Sequence, residues 1–88
     1  MPNMAYEVIL RPGAQKALDK MSPELRARIL VGIHALHHDP RPTGCKKLIG
    51  KRSYYRIRVG DYRVIYTIDD GILRVLVVEV GHRGGIYG

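Results

Sequence analysis

Residues 55–66 read YRIRVGDYRVIY, two runs of alternating apolar and polar or charged side chains joined by Gly60-Asp61. Alternation over this length predicts β-strands that bury one face. Gly followed by Asp suits a two-residue turn of the primed type, whose twist matches that of the strands it connects. The sequence therefore predicts a tight β-hairpin here, and the short turn fixes how its two strands pair.

The register of this hairpin brings its arginines together. A two-residue turn sets these residues opposite each other: Val59 and Tyr62, Arg58 and Arg63, Arg56 and Ile65. Because successive side chains point to opposite faces, the three arginines share one face and the tyrosine and aliphatic residues share the other. Two arginines directly opposite each other destabilise a sheet by some fraction of ~1 kcal/mol. A solvated strand face could carry them, but we favour a polyanion that neutralises them.

The rest of the chain predicts two helices and two further strands. Residues 5–10 alternate as a short strand, and the apolar residues within 14–21 form one stripe of a short helix. Ser22-Pro23-Glu24 is a helix-start signal, which predicts a second helix from residue 23 to about residue 37. Residues 72–80 are almost continuously apolar and predict a central strand buried on both faces. The expected fold class is α+β with the order β-α-α-β-β-β, a helical hairpin packed on one face of a small, mostly antiparallel sheet.

The size and composition of the chain bound its function. It has 88 residues, 45% of them hydrophobic and 26% charged. This composition predicts one folded domain over residues 1–88 and excludes an enzyme with a separate nucleotide-binding domain. The net charge is +7, and residues 41–63 hold eight of the 15 basic residues but only one of the eight acidic ones. The whole excess of positive charge lies in that stretch, which indicates a binding surface for a polyanion.

Cysteine and hydrophobic patterns suggest where the protein works. Cys45 is the single cysteine, so the sequence offers neither a disulfide framework nor a cysteine-based zinc site, as is usual in a reducing compartment. The N-terminus lacks the basic and apolar regions of a signal peptide, and no apolar run approaches the ~18 residues of a membrane span. We expect a cytoplasmic protein with no membrane partner.

Three histidines near the end of the second predicted helix have a spacing that metal sites use. His34, His37 and His38 stand at positions i, i+3 and i+4. No thiolate or carboxylate converges on them by sequence, and the helix dipole favours histidine near a helix C-terminus in any case. We therefore expect no metal site and no other cofactor.

The C-terminal residues 81–87, GHRGGIY, supply a titrating imidazole, a fixed cation and an aromatic ring. Taken with residues 55–66 and Lys47-Leu48, this pattern resembles the toxins of bacterial and archaeal toxin–antitoxin pairs in the RelE/ParE superfamily. The resemblance covers essentially the whole chain. RelE-like members are ribonucleases that cut messenger RNA in the ribosomal A site and rest until their antitoxin is degraded.

The resemblance implies a metal-independent endoribonuclease and places five residues at its catalytic positions: Arg56, Arg58, Arg63, Arg83 and Tyr87. Attack of a 2′-hydroxyl on the adjacent phosphate needs a base, an acid for the 5′-oxygen, and cations for the transition state. Arg63 and Arg83 are expected to contact the phosphate, and Tyr87 to stack on a base. Some relatives carry Lys at two of the arginine positions, and Arg does not lose its proton at ordinary pH. His82 is therefore the candidate base.

Four further basic residues are assigned to phosphates of the messenger or the ribosome, contacts that position RNA without specifying its sequence: Lys46, Lys47, Lys51 and Arg52. The implied partners are a small RelB-like antitoxin, the ribosome and mRNA, with operator DNA reached only through the antitoxin. Two alternatives stay open. One is a ParE-like toxin that inhibits DNA gyrase and cuts nothing, and the other is a non-catalytic RNA- or ribosome-binding module.

Overall fold

Five strands and two helices follow one another in the computed structural model, which describes residues 5–48, 50 and 53–82. They are β1 (Glu7–Leu10), α1 (Pro12–Asp19), α2 (Pro23–Ala35), β2 (Lys46–Leu48), β3 (Tyr54–Val59), β4 (Tyr62–Asp69) and β5 (Arg74–His82). The strands form one sheet in the order β1-β5-β4-β3-β2. β1 is parallel to β5, and the other neighbouring pairs are antiparallel. The predicted α+β class is confirmed.

Both helices begin where proline fixes the backbone. Pro12 and Pro23 occupy the first helical turn, where the missing N–H of proline costs no hydrogen bond. Ser22 caps α2, and its Oγ accepts a hydrogen bond from the backbone N–H of Leu25 at 3.3 Å. The start of α2 is thus as predicted. α1 begins two residues before residue 14, the first apolar residue of the predicted helix, because Pro12 starts the helix directly after Arg11.

The helical hairpin covers one face of the sheet, as predicted. The buried cluster that joins the two layers consists of Ala14, Leu18, Ile29, Ile33 and Leu36 from the helical segment and Ile57, Val64, Tyr66, Val75, Val77 and Val80 from the sheet. Tyr66 is the largest fully buried side chain. Its hydroxyl donates a 2.7 Å hydrogen bond to the carbonyl of Pro40, so the one polar atom of this side chain is paired. This bond ties the loop after α2 to the centre of the sheet.

A second set of contacts, at the protein surface, holds the same loop. Arg41 makes two hydrogen bonds to the carboxylate of Asp70, at 3.2 and 2.9 Å, and its guanidinium lies 5.3 Å from the ring centre of Tyr55. Tyr6 also donates its hydroxyl to Asp70 at 2.6 Å. The Arg41 guanidinium, and after it the Tyr6 hydroxyl, holds the pKa of the Asp70 carboxyl below its ordinary value. The loop is therefore held at two adjacent residues, Pro40 and Arg41, which places the following residues beside β3.

β2 is the element that the sequence did not predict. Lys46–Leu48 pairs antiparallel with Tyr54–Arg56 at the edge of the sheet. A strand of three residues is too short for an alternating pattern to be visible, and its position depends on the loop contacts just described. Its consequence for function is that it sets Lys46 directly opposite Arg56.

β5 begins later and is less buried than the apolar run suggested. The preceding turn extends to Leu73, which has a φ of +53°, and the Asp69 carboxylate accepts hydrogen bonds from the N–H groups of Gly71 and Ile72 at 3.0 and 3.2 Å. The helix-facing side of β5 is buried, but Glu79 on the strand is exposed. The expectation of burial on both faces is therefore wrong, because the helices cover only one of them.

Within the part of the chain that the structure describes, neither helix has the length and apolar character needed to span a membrane.

Candidate nucleic-acid interface

The hairpin that joins β3 and β4 has the predicted register. Arg58 lies opposite Arg63, and Arg56 lies opposite Ile65. Gly60 has a φ of +59°, as the first position of a type II′ turn requires. This turn fixes the pairing so that the three arginines of the hairpin leave the sheet on the face turned away from the helices.

We call the cationic part of this helix-free side the arginine face; it consists of Lys46, Arg56, Arg58 and Arg63. These residues fall into two neighbouring rows that run across the strands. One row contains Lys46, Arg56, Ile65 and Glu79, and the other contains Arg58, Arg63 and Gly81. Residues two apart on a strand are separated by about 7 Å, so the two rows together form one compact positive surface.

Arg56 is the most constrained member of the arginine face. Its side chain is flanked by Lys46 on β2 and by Ile65 on β4, and the residue is only 8% exposed. Its Nε is buried and has no hydrogen-bond partner among the described residues. A desolvated donor on a cation costs about 1–3 kcal/mol or more unless an acceptor reaches it. Arg56 is thus held more rigidly than the exposed Arg58.

His82 lies on the other face of the sheet. It pairs with Tyr62 on β4, and their rings meet edge to face with centres 5.4 Å apart and planes at 89°. Tyr62 packs against the helix-side core. The structure therefore does not bring His82 together with the arginines, although Arg63 lies directly opposite the neighbouring Gly81.

The structure places the remaining residues that we expected to bind phosphate in different locations. Lys46 belongs to the arginine face, whereas the exposed Lys47 pairs with Tyr55 and points to the helix side. Three others lie outside the described residues: Lys51, Arg52 and Arg83. Tyr87, which was expected to stack on a base, also lies outside them. Their predicted roles stay predictions.

The three histidines at the end of α2 line a shallow depression with Val8, with a volume of about 530 Å³. His37 Nδ1 lies 2.6 Å from the carbonyl oxygen of Tyr6, to which it donates, and its ring meets that of His38 edge to face. Among the described residues, no group of three or more histidine, cysteine or carboxylate side chains is placed to hold a metal ion. His37 instead ties the end of α2 to the start of β1.

Glu79 is a residue of this surface that the sequence pattern did not single out. The pairing of β4 with β5 is irregular between Ile65 and Tyr66, since Ile65 pairs with Glu79 while Tyr66 pairs with Val77. Val78 is the additional residue of a β-bulge. The one available signal in the sequence is that Glu79 is the single charged residue in the apolar run 75–80, but sequence alone does not show to which face it points.

The sequence of this chain matches a known protein family. A family model described as "ParE toxin of type II toxin-antitoxin system, parDE" matches residues 8–87. The chain belongs to this toxin family. The toxin is 29% identical over 85 residues to Toxin RelG of Mycobacterium tuberculosis, a match that covers 96% of this chain and 98% of that protein. It is 28% identical over 83 residues to Toxin RelE of the same organism, covering 93% and 86%.

Solved structures with the same fold come from both archaea and bacteria. The toxin is similar to the RelE–RelB complex of Pyrococcus horikoshii, with a TM-score of 0.81 and 29% identity over 92% of this chain and 98% of that one. The corresponding values for the RelBE2 toxin–antitoxin complex of Mycobacterium tuberculosis are 0.79 and 28%, over 90% and 92%. For the intact RelBE complex of E. coli they are 0.77 and 26%, over 89% and 96%. The predicted membership of the RelE/ParE superfamily is confirmed.

Proposed function

We propose that this toxin is a metal-independent endoribonuclease that cleaves mRNA in the ribosomal A site, acting in the cytoplasm until a RelB-like antitoxin neutralises it. The observation that carries the proposal is the arginine face, above all the buried Arg56, whose Nε has no hydrogen-bond partner among the described residues. Endoribonuclease activity is what the resemblance to RelE-like toxins implies. The arrangement of the charges supports it on physical grounds.

Cleavage of RNA by its own 2′-hydroxyl concentrates negative charge on the phosphate in the transition state. Cations that are fixed in place before the reaction stabilise that charge without reorganising. Arg56, held between its cross-strand neighbours, is such a cation, and the opposed Arg58 and Arg63 supply two more in the next row. Guanidinium groups also bind phosphate oxygens in pairs, which orients the phosphate as well as holding it.

The charge distribution and the related structures also support a proposal for the binding partners of this toxin. A domain this small offers few contacts for reading RNA sequence, so we propose that the ribosome presents the message to the arginine face. The related toxins were solved as complexes with RelB antitoxins. By analogy, a RelB-like antitoxin binds this toxin, and operator DNA is contacted only through the antitoxin.

A second candidate function is inhibition of DNA gyrase. It is favoured by the matching family model, which is named for the ParE toxin. Residues predicted to serve RNA cleavage, Arg83 and Tyr87, have no obvious use in gyrase inhibition. A non-catalytic RNA-binding module would use the same arginine face but would tolerate the loss of any one of its residues.

Induced expression followed by mapping of transcript 5′-ends separates these functions. The proposal predicts new 5′-ends within translated messages, at positions in phase with codons. Arg56→Gln should remove them, while Lys16→Gln, which deletes an exposed charge of α1, should leave them unchanged. Intact messages together with loss of plasmid supercoiling would establish the gyrase function instead. Messages cut equally by the Arg56→Gln variant would show that the arginine face is not the reaction site.

A further inference from the structure

The β-bulge in β5 decides which face Glu79 occupies. Val75 and Val77 point into the helix-side core, so regular alternation would direct residue 79 into the core as well. The extra residue Val78 shifts the pattern by one position. Val80 then takes the core position, and Glu79 is exposed opposite Ile65 on the helix-free side. The bulge thus moves a carboxylate out of the core and onto the row that contains Arg56.

Glu79 stands beside the arginines without being neutralised by a described residue. It is diagonal to Arg63, a relation in which long side chains are within reach of each other. Gly81, which lies opposite Arg63, has no side chain to fill the space next to it. Within residues 5–48, 50 and 53–82, no salt bridge involves Glu79. Among these residues, its carboxylate therefore has no ion-pair partner to give up when the arginines hold a ligand.

Two other carboxylates on this side of the sheet are already engaged. Glu7 accepts a 3.1 Å hydrogen bond from Nε of Arg74, and Asp69 accepts from the amides of its turn. Asp69 is also six residues along β4 from Arg63, or about 20 Å. Among the described residues, Glu79 is the carboxylate that shares a row with the arginine face, and His82 lies on the opposite face.

We propose that Glu79 is the general base of the cleavage reaction. The proposal rests on the endoribonuclease function proposed above. The carboxylate takes the proton of the 2′-hydroxyl, and the 2′-oxygen forms a bond to phosphorus as the bond from phosphorus to the 5′-oxygen breaks. The 5′-oxygen takes a proton from water, which leaves a 2′,3′-cyclic phosphate and a 5′-hydroxyl. Glu79 then returns its proton to solvent.

The test is single-turnover cleavage of ribosome-bound mRNA as a function of pH. Glu79→Gln should lower the maximal rate at neutral pH by about 10²- to 10⁴-fold, the usual contribution of a general base. The toxin concentration that gives half of the maximal rate should change by less than about threefold. The acidic limb of the wild-type pH–rate profile should disappear, and Glu79→Asp should restore part of both. Glu7→Gln removes an exposed carboxylate from the far end of the same side and is the matched control.

A purely electrostatic role for Glu79 gives the opposite result. Removing a negative charge beside Arg63 would then tighten RNA binding and leave the rate equal to or above that of the wild type, with its acidic limb intact. That outcome overturns the assignment. Urea denaturation of each variant shows whether a low rate reflects unfolding, and the Asp variant tests the assignment if the Gln variant is unfolded. Failure of the wild type to cut overturns the proposed function, whereas cutting by wild type and Glu79→Gln alike overturns the role of Glu79 alone.

Discussion

Arg58→Gln should stabilise the free toxin while it weakens the toxin's action on RNA. Arg58 is exposed and lies directly opposite Arg63, so the two like charges repel each other across the hairpin. The Cβ atoms of such a pair are ~5 Å apart, and splayed side chains place the charges at about 7 Å. At that distance the repulsion is about 0.6 kcal/mol in water at low salt. For a domain of this size, that increment raises Tm by roughly 2–5 °C.

The assay is urea denaturation of the toxin at low salt and in 1 M NaCl. Arg58→Gln should unfold at a higher urea concentration than the wild type at low salt, and the difference should shrink in 1 M NaCl, where charges are screened within ~3 Å. Lys47→Gln is the control, because Lys47 lies on the other face opposite Tyr55, with no cation paired to it. A loss of stability in Arg58→Gln, or a gain of equal size in both variants, would refute the idea that the arginine face is strained by its own charge.

Three further variants test how the fold supports this face. Tyr66→Phe removes the donor to the Pro40 carbonyl and should lower the free energy of unfolding by about 1–3 kcal/mol in urea; an unchanged midpoint contradicts this. In Gly32→Ala, the new Cβ lies 2.8 Å from Cγ2 of Val59, so we expect a loss of about 1 kcal/mol in the wild type and a clearly smaller loss when the same change is made in a Val59→Ala background; equal losses in both backgrounds contradict the steric contact. Since Arg41 and Tyr6 lower the pKa of Asp70, its contribution is present at neutral pH and disappears as acid protonates it. Asp70→Asn should thus unfold at lower urea than the wild type at pH 7, and the gap should close in strong acid; a constant gap contradicts the ion pair.

The hairpin could be predicted because the residues that determine it are close together in the sequence. Apolar residues at every second position and a Gly-Asp turn are enough to fix the pairing of Arg58 with Arg63, and the structure has that pairing. The start of α2 at Pro23 was predictable for the same reason, since Ser22 caps the helix from the adjacent position. Local rules therefore gave the fold class and the three arginines of the face.

The parts of the structure that the sequence did not predict depend on contacts between residues that are far apart in the sequence. Lys46 joins the arginine face because loop contacts such as Tyr66 to Pro40 place β2 beside β3, across a separation of 26 residues. Glu79 lies beside the arginine face because a bulge shifts β5 by one residue, and nothing in the run of valines marks where the shift falls. His82 was assigned to the site from its neighbours in sequence, whereas alternation along β5 turns it toward Tyr62.

End-group analysis of mRNA after cleavage on purified, programmed ribosomes tests the central claim most directly. If the arginine face stabilises attack by the 2′-hydroxyl, the downstream fragment should begin with a 5′-hydroxyl and the upstream fragment should end in a 2′,3′-cyclic phosphate, with Arg56→Gln slower by about 10²-fold or more. Fragments with 5′-phosphates, or intact mRNA after incubation with folded wild-type toxin, would contradict the account.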